Sequence, residues 1–195
     1  MSNIEVYNLK LFMIMLGSKP AGRHTEQHDI FFGIASSLKE LVPNIKRFWP
    51  EGGAKIHIDA WREVTKVDDY KLNVSLRTET DSLSLRKPLQ LFFINFGGYQ
   101  ENVFAEKHFN LLSVNEDKAS ALKAAKEALF FRFNLFWAEA SHIDDKYGID
   151  VDDIDEVEDI LSDEQRGKYK IDLIRATDFT EDEIHLGYLK LNLTA

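Results

Sequence analysis

Four of the six histidines fall at repeated positions, each two residues from a carboxylate: Glu26-x-His28, His57-x-Asp59, Glu106-x-His108 and His142-x-Asp144. Residues i and i+2 of an extended segment point to the same side, so each pair presents an imidazole and a carboxylate together. Two such pairs brought side by side admit four kinds of chemistry. The carboxylates could orient the imidazoles and brace a nearby loop, because buried polar groups need partners. His28, His57, Glu26 and Asp59 are also a donor set suited to a divalent transition metal. A His–carboxylate pair in a cleft could act as general acid and base. A pocket for a polar ligand would need neither metal nor turnover.

These pairs recur because the chain repeats. Residues 9 to 28 laid over 89 to 108 give seven identities in twenty pairs, among them Gly17 with Gly97, Glu26 with Glu106 and His28 with His108. The match resumes where His57-Ile58-Asp59 faces His142-Ile143-Asp144, and again where Tyr70-Lys71-Leu72 faces Tyr169-Lys170-Ile171. The offset grows from 80 to 85 to 99, so the second copy carries insertions, the larger of them acidic. The candidate cluster of the first copy is thus Gly17, Glu26, His28, His57 and Asp59. That of the second is Gly97, Glu106, His108, His142 and Asp144.

The elements that must position them follow from periodicity. Leu9 to Leu16 is a nearly continuous apolar run that suits a buried strand, and a loop follows from Ser18 to Thr25. Ile30 to Ala35 predicts a second strand. Ser37-x-x-Glu40 has capping-box spacing ahead of a helical period through Phe48, in which Pro43 should kink or divide the helix. Ile56 to Val64 and Tyr70 to Leu76 predict two more strands. In the second copy Asn115 is the expected N-cap of a helix from Glu116 to Phe131. A last strand is expected at Leu186 to Leu193. Each unit therefore reads β-β-α-β-β, giving an α+β fold in which two copies, 1–80 and 85–195, pack as a pseudo-dimer in one body, with an acidic insertion around 145–168.

Other chemistries are excluded by residue type. Without cysteine there is no disulfide, thiolate metal site or cysteine nucleophile, which fits a cytoplasmic protein. The loop Gly17-Ser18-Lys19-Pro20-Ala21-Gly22-Arg23 has Arg23-His24 where a phosphate-binding P-loop needs Lys then Ser or Thr. Lys19 and Arg23 could still hold an anion in the first copy. The net charge is −9, and residues 139–164 alone hold twelve acidic residues and one lysine. That balance argues against a nucleic-acid partner. No apolar stretch is long enough to span a membrane. The acidic segment has no EF-hand spacing; Ile154, Val157, Ile160 and Leu161 predict a short amphipathic helix with Asp153 near its start. Phe130 to Trp137 is an aromatic run that reads as core, or as an oligomer contact.

The series Leu16-Gly17, Gly22, Glu26-Gln27-His28-Asp29 and His57-Ile58-Asp59-Ala60-Trp61 resembles a bacterial family known as domain of unknown function 1543. The resemblance implies one or two copies of the unit per chain and leaves the function blank. The first copy matches better: the second has Asn102 for Gly22, Phe109 for Asp29 and Lys146 for Trp61. Ser18 departs from the second glycine that the family and Gly98 carry.

The leading expectation is a non-enzymatic binding or interaction module, a monomer or homodimer, recognising a small molecule or a protein. The alternative is a hydrolase-like enzyme, metal-dependent or acid–base, using the same cluster. A divalent metal is the cofactor this donor set would take.

Overall fold

The apolar run Leu11 to Leu16 forms the centre of β1 (Lys10–Ser18), in a computed structural model that describes residues 8–79, 81, 87–99, 102–136, 150–177 and 180–191, the side chains of 129–136 and 150 excepted. The fold mixes α and β and is mostly sheet. The chain divides into two compact units, Met1–Leu83 with Leu161–Ala195, and Ser84–Ile160. Residues 161–195 therefore pack with the first unit, where the repeat boundaries put them in the second copy.

In the first unit β1 is flanked by β2 (Gln27–Ala35) and β3 (His57–Val64), both antiparallel to it, and β10 (His185–Lys190) lies outside β3. Phe12, Ile14 and Leu16 of β1 face the core with Phe31, Ile58, Leu41 and Ile45. The last two belong to α1 (Leu38–Phe48), which runs unbroken through Pro43. Proline in a helix interior costs about 3 kcal/mol or more. Leu41 and Ile45 are fully buried and contribute about 1.5–3 kcal/mol each, so packing offsets the lost bond. The cap also differs from expectation. Glu40 reaches back to the N–H and hydroxyl of Ser36, while Ser37 makes no side-chain cap.

A second sheet of this unit holds β4 (Lys66–Val67), β5 (Tyr70–Leu76) and β9 (Tyr169–Arg175). The helix α4 (Asp163–Lys168) precedes β9 and sends Gln165 against β2, the edge of the first sheet. The Gln165 side chain accepts from Ile34 N at 3.1 Å and donates to Ile34 O at 2.8 Å. It satisfies that edge as a neighbouring strand would.

In the second unit β6 (Gln90–Tyr99) is the central strand between β7 (Glu106–Asn115) and β8 (Asp150–Glu156). Phe92, Ile94 and Phe96 pack on Ala121 and Ala125 of α2 (Lys118–Phe136). The small residues, four apart, let the helix approach the sheet closely. Its cap is Asp117, whose carboxylate accepts from Ser120 N at 2.8 Å; Asn115 instead donates to Ser113. The helix thus starts two residues later than expected.

The acidic segment is the largest departure. Asp150 to Glu156 is strand, and helix α3 spans only Val157–Ile160. The pairing of β6 with β8 skips Asp152 between Asn95↔Asp153 and Phe96↔Val151. That bulge shifts the phase, so the partly buried Val151 and Ile154 fall three apart and the strand period is hidden. The described part of the chain includes no helix long and apolar enough to cross a membrane. The aromatic run from Phe130 and the pair His142–Asp144 lie outside the residues or side chains described.

Candidate functional site

Three backbone devices bring the first unit's polar residues together. Gly17 at the end of β1 pairs with His28 on one side and His57 on the other. The pairing of β1 with β3 skips Asp59 between Met15↔Ala60 and Leu16↔Ile58, so Asp59 is a bulge residue whose side chain is re-aimed. A Cβ on Gly17 would lie 2.3 Å from Asp59 Oδ2 and 2.5 Å from His57 Nε2. The carboxylate and the imidazole therefore occupy the space a side chain would fill.

His57 is buried, its side chain 7% exposed. Its Nδ1 lies 3.0 Å from the Lys55 carbonyl, which can only accept, so Nδ1 carries the proton of that bond. Nε2 then faces Glu26 Oε1 at 2.9 Å and Asp59 Oδ1 at 3.2 Å. Two carboxylates facing one ring nitrogen need a proton or a cation on it. The other Asp59 oxygen, Oδ2, is buried and has no hydrogen-bond partner among the described residues. His28 Nε2 lies 3.3 Å from it, close enough for an ion pair but without hydrogen-bond geometry. Glu26, His57, Asp59 and His28 thus form one chain of contacts, with Asp59 between the two rings.

Their neighbours have other tasks. Asp29 lies next to His28 on β2, and adjacent strand residues point to opposite faces. Although the residue is exposed, partial desolvation raises its carboxyl above the ordinary range, against a lowering hydrogen bond from Ile30 N. Ser18 is fully buried and donates to Gly52 O at 3.0 Å, tying β1 to the 3-10 turn Pro50–Lys55. That anchoring accounts for a serine where a second glycine was expected. Gly22 has φ +80° and Asn102 has φ +60°, so the loop keeps its left-handed residue in both units despite the change of type. Lys19 and Arg23 are exposed in that loop.

The second unit repeats part of this. Gly97 pairs with His108, and a Cβ on it would lie 2.3 Å from Asp152 Oδ2. The bulge carboxylate beside Gly97 is therefore Asp152, and the register position of His57 is taken by Asp150, opposite Gly97. The repeat alignment had put His142 and Asp144 in these roles. Charge hides the correspondence, since Asp150-Val151-Asp152 shares only its last residue type with His57-Ile58-Asp59. Atoms of Glu106, His108 and Asp152 lie within 4.8 Å of one another. Their arrangement differs from the first unit: Glu106 faces His108 Nε2 at 3.6 Å and Asp152 faces Nδ1 at 3.4 Å. The two carboxylates flank opposite sides of one exposed ring. The Tyr99 hydroxyl donates to Glu106, which raises the phenol above its ordinary range.

Sequence reasoning also missed Tyr188 of β10, whose ring lies 4.3 Å from that of His57. Gly187, inside the final strand pattern, was the available signal, since a glycine there often marks a bulge.

A family model described as Domain of Unknown Function (DUF1543) matches residues 23–74, a span that holds Glu26, His28, His57 and Asp59. No curated protein matches the chain. Among solved structures, the crystal structure of a protein Il1583 from Idiomarina loihiensis is similar at 18% identity and a TM-score of 0.55, covering 94% of this chain and 98% of that one. The likeness is one of fold.

Proposed function

We propose that this chain is a binding module on a duplicated β-β-α-β-β plan, whose first unit holds a divalent transition-metal ion among Glu26, His28, His57 and Asp59. The observation that carries this reading is the buried Oδ2 of Asp59, which has the ion-pair contact of His28 at 3.3 Å but accepts no hydrogen bond among the described residues. Leaving a buried acceptor without a donor costs about 1–3 kcal/mol, and more for a charged group. An ion removes that penalty and the repulsion at His57 Nε2 together. The Nδ1 bond to a backbone carbonyl is the support a metal-ligating imidazole commonly has.

Distances support the same reading. Tetrahedral ligands about 2.0–2.1 Å from an ion lie about 3.3–3.4 Å apart. His57 Nε2 lies 2.9 Å from Glu26 and 3.2 Å from Asp59 Oδ1, and His28 Nε2 lies 3.3 Å from the other Asp59 oxygen, so one ion would hold all four by drawing these side chains together. Two nitrogens with carboxylate oxygens favour zinc, nickel, iron or manganese over calcium or magnesium. In the second unit the ligand atoms of Glu106, His108 and Asp152 lie within 4.8 Å of one another, but all three residues are exposed and they supply a single imidazole, which makes theirs the weaker site.

The duplication is supported by registers. Gly17↔His28 and Gly97↔His108 are the same pairing, and the bulge aspartates stand at the same place in β3 and β8. Asn73 pairs with Asp172, its equivalent at offset 99, so β5 and β9 are related by a local two-fold.

A second reading, acid–base chemistry by His28 with Asp59, is favoured by the exposed ring of His28, 51% of its side chain open to solvent. Elemental analysis of untagged protein separates the two. The metal reading expects near-stoichiometric metal that is lost in the folded His28→Ala/His57→Ala double variant and retained in His108→Ala. A wild type that stays metal-free after incubation with zinc, manganese, nickel or ferrous ion would overturn it.

A further inference from the structure

The ring of His57 is covered by a residue from the far end of the sequence. Strand β10 pairs with β3 through Leu186↔Ala60 and Leu189↔Ile58, so Gly187 and Tyr188 stand together against Asp59. Gly187 has φ +128°, a conformation that an L side chain rarely adopts. The slip at this point brings Tyr188 to His57, although Lys190 is the register partner of His57. The two ring centroids are 4.3 Å apart at 35°. Three residues earlier the same strand stacks His185 on Trp61 at 3.9 Å and 17°. Tyr188 itself is 62% exposed, so its burial contributes little to the core. A large aromatic left in solvent with one face on a buried imidazole calls for another explanation.

We propose that Tyr188 is a positioning residue for the cation site of the first unit, an inference that rests on the metal reading above. The Lys55 carbonyl fixes one ring nitrogen of His57, and Tyr188 fixes the plane. Together they leave Nε2 one direction, toward Glu26 and Asp59. The electron-rich face of the phenol also favours the imidazole when it carries positive charge, whether from a proton or a metal ion. The role needs the ring and not the hydroxyl, so phenylalanine serves as well.

The test is zinc affinity by chelator competition for wild type, Tyr188→Phe, Tyr188→Ala and Leu186→Ala, the last an 81% exposed neighbour on the same strand. Tyr188→Ala should weaken zinc about tenfold or more, in the range found when supporting residues of metal ligands are removed. Tyr188→Phe and Leu186→Ala should bind as wild type does, and melting temperatures should change little in all three. Equal affinities for wild type and Tyr188→Ala would overturn the assignment. So would a Tyr188→Phe variant as weak as Tyr188→Ala, because the hydroxyl would then be a ligand. A metal-independent readout keeps this separate from the metal reading. Nitrogen-15 shifts of the His57 ring in metal-free protein should agree between wild type and Tyr188→Phe, and should move and broaden in Tyr188→Ala, where the plane of the ring is no longer fixed. If wild type binds no zinc, the metal reading fails. If Tyr188→Ala leaves the ring shifts unchanged, the positioning role fails.

Discussion

Gly17 and Asp59 share one volume: a Cβ on the glycine would sit 2.3 Å from the carboxylate Oδ2. The same relationship holds between Gly97 and Asp152, at the same distance. In both units a bulge turns the aspartate over the glycine, into the space its absent side chain leaves. The glycine here is defined by what approaches it, and its backbone conformation is not the reason for it.

Gly17→Ala should therefore disable the site more than the fold. The atoms it would displace, Asp59 Oδ2 and His57 Nε2, are side-chain tips. Stability should fall by about 1 kcal/mol, at the low end for overpacking. Zinc affinity should fall at least tenfold, roughly the effect of losing a metal ligand's support. Gly97→Ala should move Asp152 and leave metal content unchanged. Calorimetric titration beside thermal melts checks both; wild-type affinity in Gly17→Ala would refute the shared-volume argument.

Gln165→Ala should be among the more destabilising single changes. It leaves Ile34 N–H and C=O without their partners at a buried edge. Each group left unpaired costs about 1–3 kcal/mol unless water reaches it. Urea denaturation reads the loss directly, and a variant as stable as wild type would show that the edge is solvated instead.

The legible part of the fold was that in which apolar pattern and strand period agree. Leu11, Phe12, Ile14 and Leu16 are fully or nearly fully buried, and the strand they predict is present. The glycines, Glu26, His28, His57 and Asp59 were legible because they recur or share a strand face. Asp152 was not, because its bulge breaks the strand period, and Ile154, Val157, Ile160 and Leu161 suggested a helix with a solvated acidic face. Tyr188 was not, because its contact with His57 depends on which strand lies beside β3, and strand order leaves no mark on local periodicity.

Asp81 gives a pH dependence remote from the site. The hydrogen bond from Lys170 at 2.9 Å, with two from Thr78, holds its carboxyl well below the ordinary range. Lys170 is raised correspondingly, first by the same bond. A depressed folded-state value means stability present above the unfolded carboxylate pKa of about 3.9 and lost as pH falls further. Asp81→Asn should thus melt below wild type at neutral pH, with the gap closing only below about pH 4. A gap that stays constant down to pH 2 would show that the charge on Asp81 contributes nothing.

The metal reading also predicts how the two units divide the work. His57→Ala should abolish metal binding, while His108→Ala should leave it intact, because one ring nitrogen faces both carboxylates only at His57. Comparable losses from both substitutions, measured by mass spectrometry of the intact protein, would mean that the units act alike.

The most direct measurement is an anomalous difference map at the zinc edge from crystals grown with zinc. The expected result is a peak about 2.0–2.1 Å from His57 Nε2, within reach of Glu26, His28 and Asp59. Well-ordered density for those four side chains without such a peak, at a zinc concentration that saturates a micromolar site, would contradict a metal centre and leave the cluster as a bracing network.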